Sequence, residues 1–162
     1  MRHAKSSWDH DGLPDHERPL APRGQRAAAR IAAYVRDEGI RPELALCSSA
    51  RRARETMEPV APYVGEVRVD RHLYGATAAE VLARLHAVAP TVASVLVVAH
   101  NPGLQDLALG LAAAGTSDPA ALAEVEAKFP TGAMAIITAA GTWDALTWGG
   151  CSLMRVVLPR SL

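Results

Sequence analysis

Ser94-Val95-Leu96-Val97-Val98-Ala99-His100-Asn101-Pro102-Gly103 is the stretch that decides the fold. Six residues, 94 to 99, form a run with no charge and one hydroxyl. Such a run reads as a parallel strand covered on both faces. His100 then falls just past the strand's carboxyl end. Asn-Pro-Gly turns the chain into a helix predicted from about Leu104 to Ala114. In open α/β sheets, ligands bind outside the carboxyl ends of the strands.

Working outward, the same grammar repeats. Glu43 to Ser48 reads as a second buried strand, followed by a helix from about Ala50 to Pro59 with Arg51 and Arg52 in its first turn. Upstream, Ala27, Ala28, Ile31, Ala32 and Val35 set a 3.6-residue apolar stripe. That helix is predicted from Pro22 to about Glu38, with Gly39 as the stop. Val64 to Asp70 alternates as a strand. Thr77 with Glu80 forms a capping box ahead of a helix from about Ala78 to Val88. Downstream, the reading gives a short helix over Ala120 to Lys128, strands at Ala133 to Thr138 and Trp143 to Trp148, and a last strand or an extended tail at Ser152 to Leu158. The alternation predicts a single α/β domain over residues 1–162, with a mainly parallel sheet.

Composition narrows the function. Hydrophobic residues make up 49%, enough for a packed core. Lys+Arg and Asp+Glu both number 17, so no net field recruits nucleic acid or membrane. An anion would be held by a few placed arginines. Cys47 and Cys151 show no metal or redox spacing. No signal peptide or membrane span is visible, so a cytoplasmic protein is expected. Residues 7–21 are rich in Asp, His and Pro and read as a solvated loop over a site. The zinc-type i, i+4 helical spacing is missing there, so no metal or other cofactor is expected.

Met1-Arg2-His3-Ala4-Lys5-Ser6 opens the chain, and its Arg-His pair completes a set. Arg or His stands at or beyond the end of one predicted strand after another. An imidazole offers a nucleophilic lone pair at neutral pH. Arginine forks suit the oxygens of a phosphoryl group, which needs mainly positioning and charge neutralisation. The candidates are therefore His3 as nucleophile, Arg2 and Arg52 as phosphate ligands, and His100 as a hydrogen-bond donor, with Arg18 adding charge. No phosphate-binding Gly-rich loop or acidic metal cluster accompanies them.

These residues resemble the histidine phosphatase superfamily, the phosphoglycerate mutase-like or RHG family, and within it the SixA-type phosphohistidine phosphatases. Arg2-His3-Ala4-Lys5-Ser6 resembles the RHG signature. Asp15-His16-Glu17-Arg18-Pro19-Leu20 with Arg23-Gly24 is similar to the D-x-x-R-P-L…R-G segment. Ser48, Arg52, Ala53 and Thr56 match S-x-x-x-R-A-x-x-T. Val98-Ala99-His100-Asn101-Pro102-Gly103 resembles the second-histidine segment, and Phe129-Pro130-Thr131-Gly132-Ala133 a late segment of the branch. The resemblance implies a three-layer α/β/α sandwich and a phosphohistidine intermediate on His3. Arg2, Arg52 and His100 would be catalytic, and Arg18 and Asn101 would bind substrate. The partner would be a phosphorylated protein or a small phosphorylated metabolite.

The chain departs from the family in three places. Ala4 replaces a Gly, as in the SixA branch. Asp9 stands where mutases carry a phosphate-contacting Asn, which argues against mutase activity. Family members also carry an apolar strand directly before the Arg-His pair. The expectation is that this first strand is missing and that the natural start lies roughly six to ten residues upstream. Glu80 is a candidate proton donor whose capping-box position explains it equally well. A missing acid favours phosphohistidine, because a P–N bond breaks more easily than a phosphate ester. A catalytically inactive phospho-ligand module of the same fold and a small-molecule phosphomonoesterase are the alternative readings.

Overall fold

The computed structural model describes residues 1–9 and 12–162. Its elements run α1 (Pro22–Asp37), β1 (Leu44–Ser48), α2 (Arg51–Met57), β2 (Glu66–Asp70), α3 (Ala78–His86), β3 (Val95–Val98), α4 (Gly103–Leu111), α5 (Pro119–Ala127), β4 (Met134–Ala139) and β5 (Cys151–Val157). Local chemistry explains the ends. Pro22 opens α1, and Gly39, at φ +66°, lets the chain leave it in a left-handed turn. At α3 the Thr77 hydroxyl and the Glu80 carboxylate cap each other's backbone, as the sequence predicts.

β1 is the middle strand of a parallel sheet with order β2-β1-β3. Its five residues are all buried, and their alternation divides the core. Leu44 and Leu46 join the cluster formed with α3, α4, α5 and Phe129. Ala45 and Cys47 join the cluster formed with Ile31 and Val35 of α1 and Ala53 and Met57 of α2. Helices therefore cover both faces, giving the expected three layers. β2 is an edge strand whose predicted apolar face is open: Val67 and Val69 are 39% and 57% exposed. β4 and β5 form a separate antiparallel pair with an irregularity between Ile136 and Ile137.

Residues 1–3 lie between the two sheets and bond to both. Met1 N donates to Val97 O at 2.7 Å, and His3 N donates to Ala99 O at 3.0 Å. On the other side, Arg2 N donates to Ala133 O at 2.8 Å, and Gly132 N reaches the carbonyls of Arg2 and His3. Arg2 pairs with Ala99 in parallel. This threading puts Arg2 and His3 next to the carboxyl end of β3, where His100 emerges.

One expected element is absent. Trp143–Trp148 is not a strand: Trp143–Ala145 is a single 3-10 turn. The indole of Trp143 donates to Val92 O at 2.6 Å, and Leu146 inserts into the core. Alternating apolar character here reflects side chains anchoring a loop, while β4 takes β5 as its partner. Loop 7–21 also holds more structure than expected. Asp15–Glu17 is a 3-10 turn, and Arg18 and Leu20 are buried. Among the described residues, no helix is long and apolar enough to cross a membrane.

Candidate active site

Three chain segments deliver four side chains to one point at the carboxyl edge of the sheet. His3 comes from the threaded opening, Ser48 and Arg52 from the β1–α2 junction, and His100 from the end of β3. The His3 and His100 rings lie 4.9 Å apart between centroids, and both residues are buried. Arg52 is 7% exposed, and its Nε points at His3 Nε2 across 3.3 Å.

The hydrogen bonds assign the His3 tautomer. His3 Nδ1 lies 2.7 Å from the carbonyl of Ala4, which can only accept, so Nδ1 carries the proton. The lone pair is then on Nε2, where Arg52 Nε donates. Burial, the largest cause, lowers the His3 pKa to about 4; Arg52, Arg2 and Arg18 push the same way, and the Ala4 carbonyl opposes them. His100 is lowered to about 3, first by burial, then by His3 and Arg52. Both rings are neutral at pH 7, and His3 presents an unprotonated nitrogen.

Ser48 orients the second histidine. It is fully buried, and its Oγ lies 2.7 Å from His100 Nε2 while accepting weakly from Ala50 N at 3.4 Å. The Ser48 hydroxyl can donate to His100 Nε2 while it accepts from Ala50 N. In that arrangement the His100 proton is on Nδ1, the tautomer able to donate to an anion.

Asp15 ties the surrounding cations together. Its Oδ2 accepts from Arg52 Nη2 at 2.9 Å and from the Tyr74 hydroxyl at 2.8 Å, and its Oδ1 from Arg18 Nη1 at 2.8 Å. The Tyr74 bond is the largest of the causes that hold the Asp15 carboxyl at about 2. Arg18 also donates to Ser7 O and Ser6 Oγ and lies under the exposed Trp8 ring. Its charge reaches His3, lowering that ring's pKa, and its Nη1 holds Asp15. Arg2 Nη1 donates to Phe129 O at 2.8 Å, and its buried Nε has no protein acceptor among the described residues.

Not every expected residue meets at this point. Asn101 turns its amide nitrogen to Gln105 Oε1 and Phe129 O. It shares the Phe129 carbonyl with Arg2 and so braces that arginine, while its own buried Oδ1 has no protein partner among the described residues. Glu80 is committed to Thr77 by contacts of 2.8 Å from the Thr77 backbone N and hydroxyl. Tyr74 and the role of Asp15 escaped the sequence reading. The only signal was the Asp three positions before Arg18; nothing local links residue 15 to 52 or 74.

Residues 1–75 match the model of the histidine phosphatase superfamily (branch 1). A SixA-type structure from Nakamurella multipartitia is 32% identical, with a TM-score of 0.86 over 98% of this chain and 93% of its own. The chain belongs to the histidine phosphatase superfamily, in its SixA branch. It is also similar to the protein histidine phosphatase SixA complexed with tungstate, at 26% identity and a TM-score of 0.77 over 99% of this chain and 96% of that one. A Mycobacterium tuberculosis protein is 37% identical over 160 residues, covering 99% of this chain and all of its own length. Membership supports phosphatase activity.

Proposed function

We propose that this protein is a metal-independent phosphatase that removes phosphoryl groups from phosphohistidine in proteins through a covalent intermediate on His3. The observation that carries the proposal is the pair of contacts on the His3 ring. Ala4 O fixes the proton on Nδ1 at 2.7 Å, and Arg52 Nε marks the free Nε2 at 3.3 Å. In the first step the Nε2 lone pair attacks the phosphorus of a phosphohistidine whose other ring nitrogen is protonated; the bond to the substrate nitrogen breaks, the electron pair stays on that nitrogen, and the substrate ring leaves as neutral imidazole. Arg2 and Arg52 neutralise the equatorial oxygens, and His100 Nδ1–H donates to one of them. In the second step water attacks the phosphorus of phospho-His3, inorganic phosphate departs, and Nε2 recovers its lone pair.

The leaving group favours a phosphoramidate. Glu80, the one candidate acid raised by the sequence, has its carboxylate occupied by Thr77. An alkoxide leaving group would need a proton donor in the site, whereas a phosphohistidine already protonated on its other ring nitrogen leaves as neutral imidazole without one. Arg18 and Asn101 serve in this scheme by holding Asp15 and Arg2.

A substrate panel tests the proposal: phosphohistidine peptide, phosphoramidate, nitrophenyl phosphate and sugar phosphates, each with wild type and His3→Ala. The P–N substrates should turn over fastest, His3→Ala should abolish turnover, and tungstate should still raise the Tm of wild type by binding the folded state. Preference for a sugar phosphate would replace the substrate reading. Tungstate binding with no turnover of anything would indicate a binding module.

A further inference from the structure

We propose that the groove between α1 and the C-terminal turn, lined by Lys5, Arg23, Arg26, Arg30 and Arg160, docks an acidic segment of the phosphorylated protein substrate. The groove encloses about 300 Å³, and none of its lining residues is acidic. The inference rests on the protein-phosphohistidine reading above, and it names which proteins that site would accept.

The charge there is segregated, not a sample of the average surface. The whole chain is neutral, with 17 cations and 17 acids, yet this groove gathers five cations. Arg160 pairs with Glu124 at 3.3 Å and Arg30 donates to Pro159 O at 3.2 Å, which fixes the rim. Among the described residues, Lys5, Arg23 and Arg26 have no carboxylate at ion-pair distance, so their charge is available. Ala27, Pro130 and Leu158 supply an apolar floor.

The groove adjoins the site through the backbone. Lys5 follows His3 by two residues, at most about 7 Å along an extended chain. On the other side, Gly132 N binds the carbonyls of Arg2 and His3, so Pro130 and Thr131 line the groove right beside the catalytic segment. Gly24 makes the arrangement possible. A Cβ there would lie 2.1 Å from Lys5 O, so only glycine lets the first turn of α1 rest on Lys5 and bring Arg23 alongside it. Arg23 and Gly24 belong to a motif that the catalytic scheme leaves without a role.

The spacing fits a polypeptide. Arg23 to Arg30 covers about 10 Å along a helix. An extended peptide offers side chains on one face every 7 Å or so, so about two carboxylates would match that span. A lone phosphate would engage only part of it. Dispersed cations over an apolar floor give orientation and encounter rate more than raw affinity.

The test has a binding arm and a turnover arm. For binding, a fluorescent, unphosphorylated peptide alternating Asp with Gly is titrated into the full chain, beside a Ser-for-Asp control. The acidic peptide should bind with a Kd that weakens by about tenfold or more with added salt. Binding should fail in Arg23→Glu/Arg26→Glu and be intermediate in Arg23→Gln/Arg26→Gln. For turnover, phosphohistidine peptides with Asp or Ser flanks are compared with phosphoramidate. The Glu pair should lower kcat/KM for the Asp-flanked peptide by about tenfold or more and leave phosphoramidate within about twofold. Equal binding of acidic and control peptides, or losses independent of the flank, overturns the proposal. If no substrate turns over at all, the catalytic reading fails, and the binding arm still decides the groove.

Discussion

Acid titration of stability tests the two buried imidazoles together. His3 sits at about 4 and His100 at about 3, both below the ordinary histidine value of 6.5. The sign follows from linkage. Below pH 6.5 the unfolded chain binds protons on both rings while the folded chain does not, so acid favours unfolding. The loss grows from about pH 6.5 downward and levels off only once the folded pKa values are passed. Between pH 7 and pH 5 each ring costs about 2 kcal/mol, or about 4 for the pair, counting the shifts as independent. That is a large share of the roughly 5–15 kcal/mol that holds a typical domain. Asp15 works in the same direction at lower pH: its lowered pKa adds stability that is lost only as the pH falls from about 4 through about 2. Its transition therefore stays outside the window. Urea unfolding at pH 7, 6 and 5 should show the acid loss in wild type. His3→Asn or His100→Asn should each reduce it by about 2 kcal/mol; the double variant keeps the part that belongs to the buried Met1 amine, whose pKa burial lowers to about 5. A double variant that loses as much stability as wild type over that range would refute the neutral, buried pair.

Three substitutions probe the supports of the site. Ser48→Ala leaves His100 Nε2 without its 2.7 Å partner and frees the tautomer. It should cost about 1–3 kcal/mol in kcat/KM, a roughly fivefold to hundredfold loss, with near-native far-UV CD. Arg52→Lys keeps the charge and loses the fork that spans His3 and Asp15. Steady-state kinetics should show a loss of about tenfold to a hundredfold. Gly24→Ala places a Cβ against Lys5 O and forces α1 away from the opening segment. A fall of several degrees in Tm is expected in a thermal melt, in line with the roughly 1–3 kcal/mol cost of overpacking; an unchanged Tm would mean the contact relaxes freely.

The sequence reading reached the histidines because each stands in a local pattern. The apolar run before His100 and the buried strand before Ser48 name their own carboxyl ends. The capping box of α3 was legible for the same reason, and it also explains why Glu80 faces Thr77 instead of a substrate. Trp143–Trp148 misled because an alternating apolar loop and a strand share one pattern; only the partner tells them apart, and β4 pairs with β5. Asp15, Arg52 and Tyr74 meet across 59 positions of chain, and no window of sequence contains all three. The resemblance makes Arg18 a substrate-binding residue; its three bonds to Ser6, Ser7 and Asp15 join separate positions of the segment, and its composition does not encode them.

The central claim is that His3 Nε2 carries the phosphoryl group during turnover. Rapid acid-free quenching of enzyme mixed with phosphoramidate, followed by peptide mass analysis, measures it directly. The account predicts a base-stable, acid-labile phosphoryl group on the N-terminal peptide, assigned to His3, present in wild type and absent in His3→Ala. Turnover with no such adduct, or an adduct on His100 instead, would contradict it.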